Sequence, residues 1–141
     1  MTKALSLYQL NTLVADVISN TMAHTYWVEA ELSEASESNG HCYMELIEKE
    51  EGGNVPIARA SAKCWRNVWS MIKPYFMRIT GQTIHAGMKV MLQVHAQFHP
   101  QYGFSWIVDD INPEFTMGDM MRKRQEIIRQ LKAEVVFDLQ H

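Results

Sequence analysis

The sequence has few cysteines and no long apolar run, and each scarcity excludes a class of protein. Its 141 residues include two cysteines, Cys42 and Cys64, which are too few for a disulfide framework and indicate a reducing compartment. No run of about 18 apolar residues is present, so no transmembrane helix is encoded. The N-terminus lacks the apolar segment of a secretory signal. We therefore expect a cytoplasmic protein with no membrane partner.

The sequence also lacks a strong net charge, which argues against a generally basic nucleic-acid binder. With 47% hydrophobic and 21% charged residues, the composition is that of a folded domain and not of a disordered chain. The formal net charge of −3 is unevenly distributed. Residues 1–54 carry two Lys/Arg and nine Asp/Glu, whereas residues 55–141 carry eleven and seven. This asymmetry is consistent with a local basic surface or with ordinary scatter of surface charges.

The periodicity of apolar residues predicts three helices and five strands. Helical spacing extends over residues 6–19, 67–79 and 116–136, and strict alternation predicts strands at 26–32, 41–47, 57–66, 88–98 and 104–111. Ser6 and Gln9 have capping-box spacing. The polar stretch 33–40 predicts a loop, and Pro74 is expected to kink or break the second helix.

One predicted strand leaves two alternatives open, and the first helix is amphipathic. The strand at 104–111 has apolar residues on both faces, so either both faces are covered or a bulge intervenes. The first helix has its apolar residues on one face, at Leu7, Leu10, Val14, Val17 and Ile18.

The order of these elements predicts a mostly β fold with flanking helices. Five strands with a helix between strands 3 and 4 match the five-stranded OB-fold barrel, here with an additional N-terminal helix and C-terminal helix. Other small five-stranded barrels fit the same pattern. We expect residues 1–115 to form the barrel domain with its N-terminal helix, and residues 116–141 to form the C-terminal helix.

OB-folds bind ligands on strands 2 and 3 and on the loops beside them. The candidate binding residues are His41, Tyr43, Arg59, Ser61, Lys63, Trp65, Arg66, His99 and Tyr102. Aromatic rings stack on bases and cations contact phosphates, so this combination predicts binding of single-stranded nucleic acid. The same rings could instead cover the barrel, and the same cations could belong to a solvated strand face.

No metal, cofactor or catalytic site is predicted. Cys42, Cys64, His95 and His99 lack the paired short spacings of a zinc site. The adjacent Asp109 and Asp110 point to opposite faces of a strand and cannot act as a catalytic pair. No glycine-rich phosphate loop or nucleophile elbow occurs.

Several short runs, in order and at similar spacing, match a known family. They lie at residues 5–11, 27–33, 40–46, 64–66, 87–90, 107–113 and 131–134, together with Pro100, Tyr102 and Gly103. Through them, residues 5–138 resemble the N-terminal domain of the large subunit of bacterial exonuclease VII. At Glu34, Ala35 and Ser36 that family commonly has Asn, an aromatic residue and a basic residue, so the first loop here lacks a ring and a cation.

The resemblance implies an OB domain that binds single-stranded DNA ahead of a catalytic domain not included in residues 1–141. Enzymes of that family degrade single-stranded DNA from either end without a metal, as a large subunit bound to several small subunits. We therefore expect single-stranded DNA and a small subunit as partners. The alternative is a docking or oligomerisation domain with little DNA affinity, which the acidic first loop favours.

Overall fold

The computed structural model describes residues 3–139 as a closed five-stranded barrel with three helices. The elements are α1 (Leu7–Thr21), β1 (Tyr26–Ser38), β2 (His41–Lys49), β3 (Pro56–Cys64), α2 (Arg66–Thr80), β4 (Lys89–His99), β5 (Gly103–Ile111) and α3 (Pro113–Leu139). Around the barrel the strands follow the order β1-β2-β3-β5-β4, and β1 pairs with β4 to close it. The predicted OB-fold barrel with its three helices is confirmed.

The core is built from the alternate residues of each strand that point into the barrel. Between β2 and β3, large residues face small ones, since Met44 lies opposite Ala62 and Leu46 opposite Ala60. Pairing a large side chain with a small one lets the inner faces of the two strands pack closely. The other buried inward residues are Leu32, Cys42, Cys64, Val90, Leu92, Val94, Val108 and Ile111.

The connection between β1 and β2 is shorter than the sequence predicts. Instead of a loop over 33–40, β1 continues to Ser38, and the turn consists of Asn39 and Gly40 with φ of 54° and 83°. Such positive values at both positions define the two-residue hairpin turn that Asn-Gly favours. The loop prediction was wrong because the last part of β1 pairs with β2 alone and stays exposed, so polar residues suit it.

The sequence predicts that Pro74 kinks or breaks the second helix; α2 is continuous from Arg66 to Thr80, so no break occurs. A proline inside a helix costs about 3 kcal/mol, because it removes one hydrogen bond and crowds the preceding turn. Trp69, Ile72 and Phe76 are buried by α2, and each such side chain contributes about 1.5–3 kcal/mol. Packing therefore outweighs the local penalty, and the helix ends at Gly81, which is left-handed.

The register of β4 and β5 resolves the alternatives left open for the last strand. Val94 pairs with Val108 but Gln93 pairs with Asp110, so Asp109 is an extra, bulged residue. The bulge turns both Val108 and Ile111 inward. Ile107 points outward but is also buried, so covering of the outer face contributes as well.

Helix α1 begins at the predicted capping box. The Ser6 hydroxyl accepts the Gln9 N–H at 3.1 Å, and the Gln9 side chain accepts the Ser6 N–H at 2.9 Å. The apolar face of α1 is only partly covered by the barrel. Although α1 packs on β4, no residue of α1 is fully buried, and Leu7 and Leu10 are exposed.

Helix α3 is attached to the barrel by its first turns. The Thr116 hydroxyl donates to the Lys89 carbonyl at 2.8 Å, and the buried Asp119 carboxylate contacts Lys123 at 3.1 Å. Residues 121–136 are all exposed. Within residues 3–139, no helix has both the length and the apolar composition needed to cross a membrane.

Candidate nucleic-acid interface

The outward residues of β2 and β3 place three rings in mutual contact. Tyr43 lies opposite Lys63 in the sheet, and His41 and Trp65 lie at the adjoining strand ends. The His41 ring centroid is 5.2 Å from that of Trp65 and 6.5 Å from that of Tyr43, and all three rings meet edge to face. Edge-to-face contact fixes the rings against one another. Tyr43 is 37% exposed, so its ring is accessible for stacking.

Lys63 connects these rings to the turn between β4 and β5. Its Nζ lies 5.8 Å from the Trp65 centroid and 5.5 Å from the Tyr102 centroid, within cation–π range of both. The His99 Nδ1 accepts the backbone N–H groups of Gln101 and Tyr102, which fixes its ring 4.6 Å from the Tyr102 ring. We name this surface the aromatic–basic face and define it by His41, Tyr43, Lys63, Trp65, His99 and Tyr102.

Arg66 holds one end of the aromatic–basic face in place. Its backbone N–H donates to His41 Nδ1 at 2.8 Å, and its Nε donates to the Asn39 carbonyl at 2.9 Å. A Cβ at Gly40 would lie 2.7 Å from the Arg66 Nε, so a larger residue in this left-handed turn would displace the Arg66 side chain from its present position. The predicted phosphate-binding Arg66 therefore lies at the face, with its guanidinium already bound to the hairpin.

Arg59 is separated from the aromatic–basic face, and Ser61 lies at its edge beside Glu45. Arg59 precedes Lys63 by four residues, about 13 Å along β3. Its guanidinium is 2.5 Å from the Glu45 carboxylate, which also accepts the Ser33 hydroxyl at 2.6 Å. Ser61 is exposed opposite Glu45. Glu45 thus marks the limit of the face, and the structure brings together seven of the nine predicted residues.

A second group of rings lines an apolar cleft of about 440 Å³ that opens into the barrel. We name it the barrel mouth and define it by Tyr26, Trp27, Glu29, Glu48, Ala58, Ala60 and Trp106. The Tyr26 and Trp106 rings meet edge to face at 6.4 Å. Glu29 and Glu48 are exposed, and Arg59 reaches the cleft already paired with Glu45.

The two cysteines lie beneath the aromatic–basic face, opposite each other on β2 and β3. Both thiols are free and buried. Burial raises the pKa of Cys42 to about 11, with a smaller contribution from Glu37, and raises the pKa of Cys64 to about 12, with smaller contributions from Cys42 and Asp109. Both side chains are therefore neutral thiols at neutral pH and act as small apolar residues of the core.

The histidines considered for metal binding have other partners. His95 Nδ1 lies 2.7 Å from the Asp109 carboxylate, and His99 Nδ1 accepts hydrogen bonds from its own turn. Cys42 and Cys64 point into the core, away from both. Among residues 3–139, no group of three or more His, Cys, Asp or Glu side chains is arranged to hold a metal ion.

Helix α1 adjoins the aromatic–basic face, which the sequence analysis did not predict. The Asn11 Nδ2 donates to the Pro100 carbonyl at 2.8 Å, so α1 is fixed to the β4–β5 turn. The residues are far apart in the chain, and no local pattern indicates the contact. The sequence does set Tyr8 apart, because this aromatic residue falls outside the apolar stripe of α1. In the structure its side chain is 69% exposed.

Comparison with known proteins identifies the class of protein to which this barrel belongs. Residues 5–112 match the family described as "OB-fold nucleic acid binding domain". The chain belongs to that family, and it is an OB-fold nucleic-acid-binding domain. It is also 36% identical over 140 residues to the exodeoxyribonuclease 7 large subunit of Deinococcus radiodurans, which confirms the resemblance to that group of proteins. The match includes 96% of this chain and 33% of the relative, so the chain spans about a third of the relative's length.

Proposed function

We propose that this domain binds single-stranded DNA on the aromatic–basic face and presents it to an exonuclease active site elsewhere in a larger protein. The observation that carries this proposal is a series of four rings and one cation, in which Lys63 lies between the His41–Trp65 pair and the Tyr102–His99 pair. Successive bases of a single strand can stack on such a series, whereas bases inside a duplex have no free faces.

The charge of the domain supports stacking as the main source of affinity. Lys63 is the cation at the centre of the face, while Arg59 is paired with Glu45 and Arg66 with the hairpin carbonyl. Few cations are thus available for phosphates, so binding is expected to depend only moderately on salt. Stacking accepts every base, and sequence preference is expected to be weak.

The name of the D. radiodurans relative supports the larger setting of the proposal. An exodeoxyribonuclease removes nucleotides from DNA ends, and a large subunit implies a smaller one. We place the catalytic step and the contact with the small subunit outside this domain. The two free, buried cysteines support a reducing compartment such as the cytoplasm.

The proposal is tested by titrating labelled oligothymidylate with this chain and following fluorescence anisotropy, with a duplex of equal length as control. We expect dissociation constants around the micromolar range at low salt, and weaker binding when salt rises from about 50 to 200 mM. The duplex should bind less tightly. Absence of binding at low salt, or equal affinity for the duplex, would contradict the proposal.

A second candidate function is self-association or docking, and the free part of α3 favours it. Ile128, Leu131 and Val135 are exposed there at helical spacing, with Ile127 and Val136 beside them. In this alternative the domain pairs through α3 and binds DNA little. Analytical ultracentrifugation of the chain tests it, because a monomer at all concentrations would contradict self-association through α3.

A further inference from the structure

A groove between α1 and the β4–β5 turn lies at the end of the aromatic–basic face. Its volume is about 490 Å³, and it is lined by Leu7, Tyr8, Asn11, His99, Pro100 and Gln101. His99 belongs to both surfaces, because its ring also lies 4.6 Å from the Tyr102 ring. The groove therefore continues the series of rings from the barrel onto the helix.

The walls of this groove are fixed relative to each other. The half-buried hydrogen bond from Asn11 to the Pro100 carbonyl joins α1 to the turn. Tyr8 lies three residues before Asn11, on the same side of the helix. The capping box at Ser6 defines where the helix begins, one turn before the bond to Pro100. The position of Tyr8 beside the turn is thus set by two independent contacts.

Burial in the core does not explain the position of Tyr8. Its side chain is 69% exposed, and α1 has no fully buried residue. The opposite wall offers the His99 ring and the exposed Gln101 amide, which can both donate and accept a hydrogen bond. No acidic residue is among the described residues that line the groove.

We propose that this groove binds one further nucleobase of a single strand that lies on the aromatic–basic face, with Tyr8 as its stacking partner. The inference rests on the proposed function and extends the binding track beyond the barrel. A flat base can stack on the exposed Tyr8 ring in this groove of about 490 Å³, and Gln101 can contact its edge without selecting one base. The phosphate beside it lies near the N-terminal end of α1, where the helix dipole favours an anion.

The length of the bound strand provides the test. Dissociation constants are measured for oligothymidylates of about 4 to 16 nucleotides, the range of site sizes for OB-folds. The variants are Tyr8→Ala, Tyr8→Phe, Trp65→Ala and the matched control Val17→Ala, which removes an exposed α1 side chain outside the groove. Thermal melting confirms that each variant is folded.

We expect Tyr8→Ala to leave the shortest strands unaffected and to weaken binding of the longer strands by roughly tenfold, the loss of one stacked base. Tyr8→Phe and Val17→Ala should bind like the parent at all lengths. Trp65→Ala should weaken binding at every length, because its ring lies inside the face.

Three results would overturn the groove while leaving the proposed function intact. These are unchanged affinity of Tyr8→Ala at every length, equal weakening at every length, and a Tyr8→Phe variant that behaves like Tyr8→Ala. In each case Trp65→Ala must still bind more weakly than the parent, because that result shows that the aromatic–basic face binds the strand. Failure of the parent chain to bind any strand would overturn both the proposed function and the groove that depends on it.

Discussion

The aromatic–basic face and the barrel mouth both expose aromatic rings, but they surround those rings with different neighbours. On the face, Lys63 lies within cation–π distance of Trp65 and Tyr102. At the mouth, the rings adjoin alanines and the exposed carboxylates of Glu29 and Glu48. A nucleic acid brings a phosphate with every base, and carboxylates repel it. Exposed rings alone therefore do not identify a nucleic-acid-binding surface. The sign of the neighbouring charge determines whether the phosphates are attracted or repelled.

The largest difference between the two regions should appear when one tryptophan is removed from each. Trp65→Ala deletes the ring that contacts both His41 and Tyr43, and we expect its affinity for oligothymidylate to fall about tenfold or more. Trp27→Ala removes a half-exposed ring from the barrel mouth and should bind like the parent. Anisotropy titration measures both. Equal losses of affinity in the two variants would show that the face and the mouth do not differ in their contact with the strand.

The small residues next to the two regions differ as well, since two buried thiols lie beneath the face whereas alanines line the mouth. The raised pKa values of Cys42 and Cys64, about 11 and about 12, favour the neutral thiol in the folded state. Above pH 9 the unfolded chain loses these protons while the folded chain keeps them. The stability they contribute is thus complete below pH 9 and falls by up to about 1.4 kcal/mol per pH unit and per thiol as pH rises.

Urea unfolding at pH 8 and pH 10 tests this difference against a Cys42→Ala/Cys64→Ala variant. The variant should be less stable than the parent at pH 8 because it leaves small cavities. The difference in the free energy of unfolding between parent and variant should be smaller at pH 10, because only the parent has thiols whose stabilising contribution is lost. A gap of the same size at both pH values would contradict the assigned pKa shifts.

A smaller effect is expected when one lysine is removed from each region. Lys63→Ala should lower the slope of log affinity against log salt by about 0.7, the contribution of one phosphate contact on a single strand. Lys49→Ala makes the same change of charge beside the acidic side of the barrel, where Lys49 pairs with Glu31 at 3.0 Å. Its slope should equal that of the parent. The same salt dependence in both variants would show that Lys63 does not contact a phosphate in the proposed interface.

The smallest effect should come from neutralising the barrel mouth. A Glu29→Gln/Glu48→Gln variant removes two exposed carboxylates without altering the rings. Binding should strengthen by less than about threefold at low salt and become indistinguishable from the parent near 0.15 M, where the Debye length is about 8 Å. A large gain that persists at high salt would indicate that the mouth itself contacts the strand.

The order of elements and the faces of the strands could be predicted because they depend on local periodicity. Alternation placed Tyr43 and Lys63 outward and Cys42 and Cys64 inward, as the sheet register confirms. Of the two outcomes predicted at Pro74, a kink or a break, the break does not occur, because the packing of α2 on the barrel is a tertiary effect that the local sequence does not show. The Asn-Gly turn signal was present at 39–40 but was outweighed by the polar composition around it.

The candidate site was predictable only where it follows from strand alternation and turn position. His41, Tyr43, Lys63, Trp65, His99 and Tyr102 come together as expected, although binding by them stays a prediction. The pairing of Arg59 with Glu45 and the placement of α1 beside the β4–β5 turn depend on contacts between distant segments. Such contacts cannot be inferred from spacing in a single chain.

The close approach of Arg66 to Gly40 restricts how this surface can vary between related chains. The left-handed backbone at position 40 accepts asparagine as well as glycine, so the turn alone does not require glycine. The contact between Arg66 and the hairpin is more restrictive, because a Cβ at position 40 would lie 2.7 Å from the Arg66 Nε and displace that flexible side chain. Glycine at 40 should therefore accompany an arginine at 66 that binds the carbonyl of residue 39, and a chain with asparagine at 40 should lack that hydrogen bond.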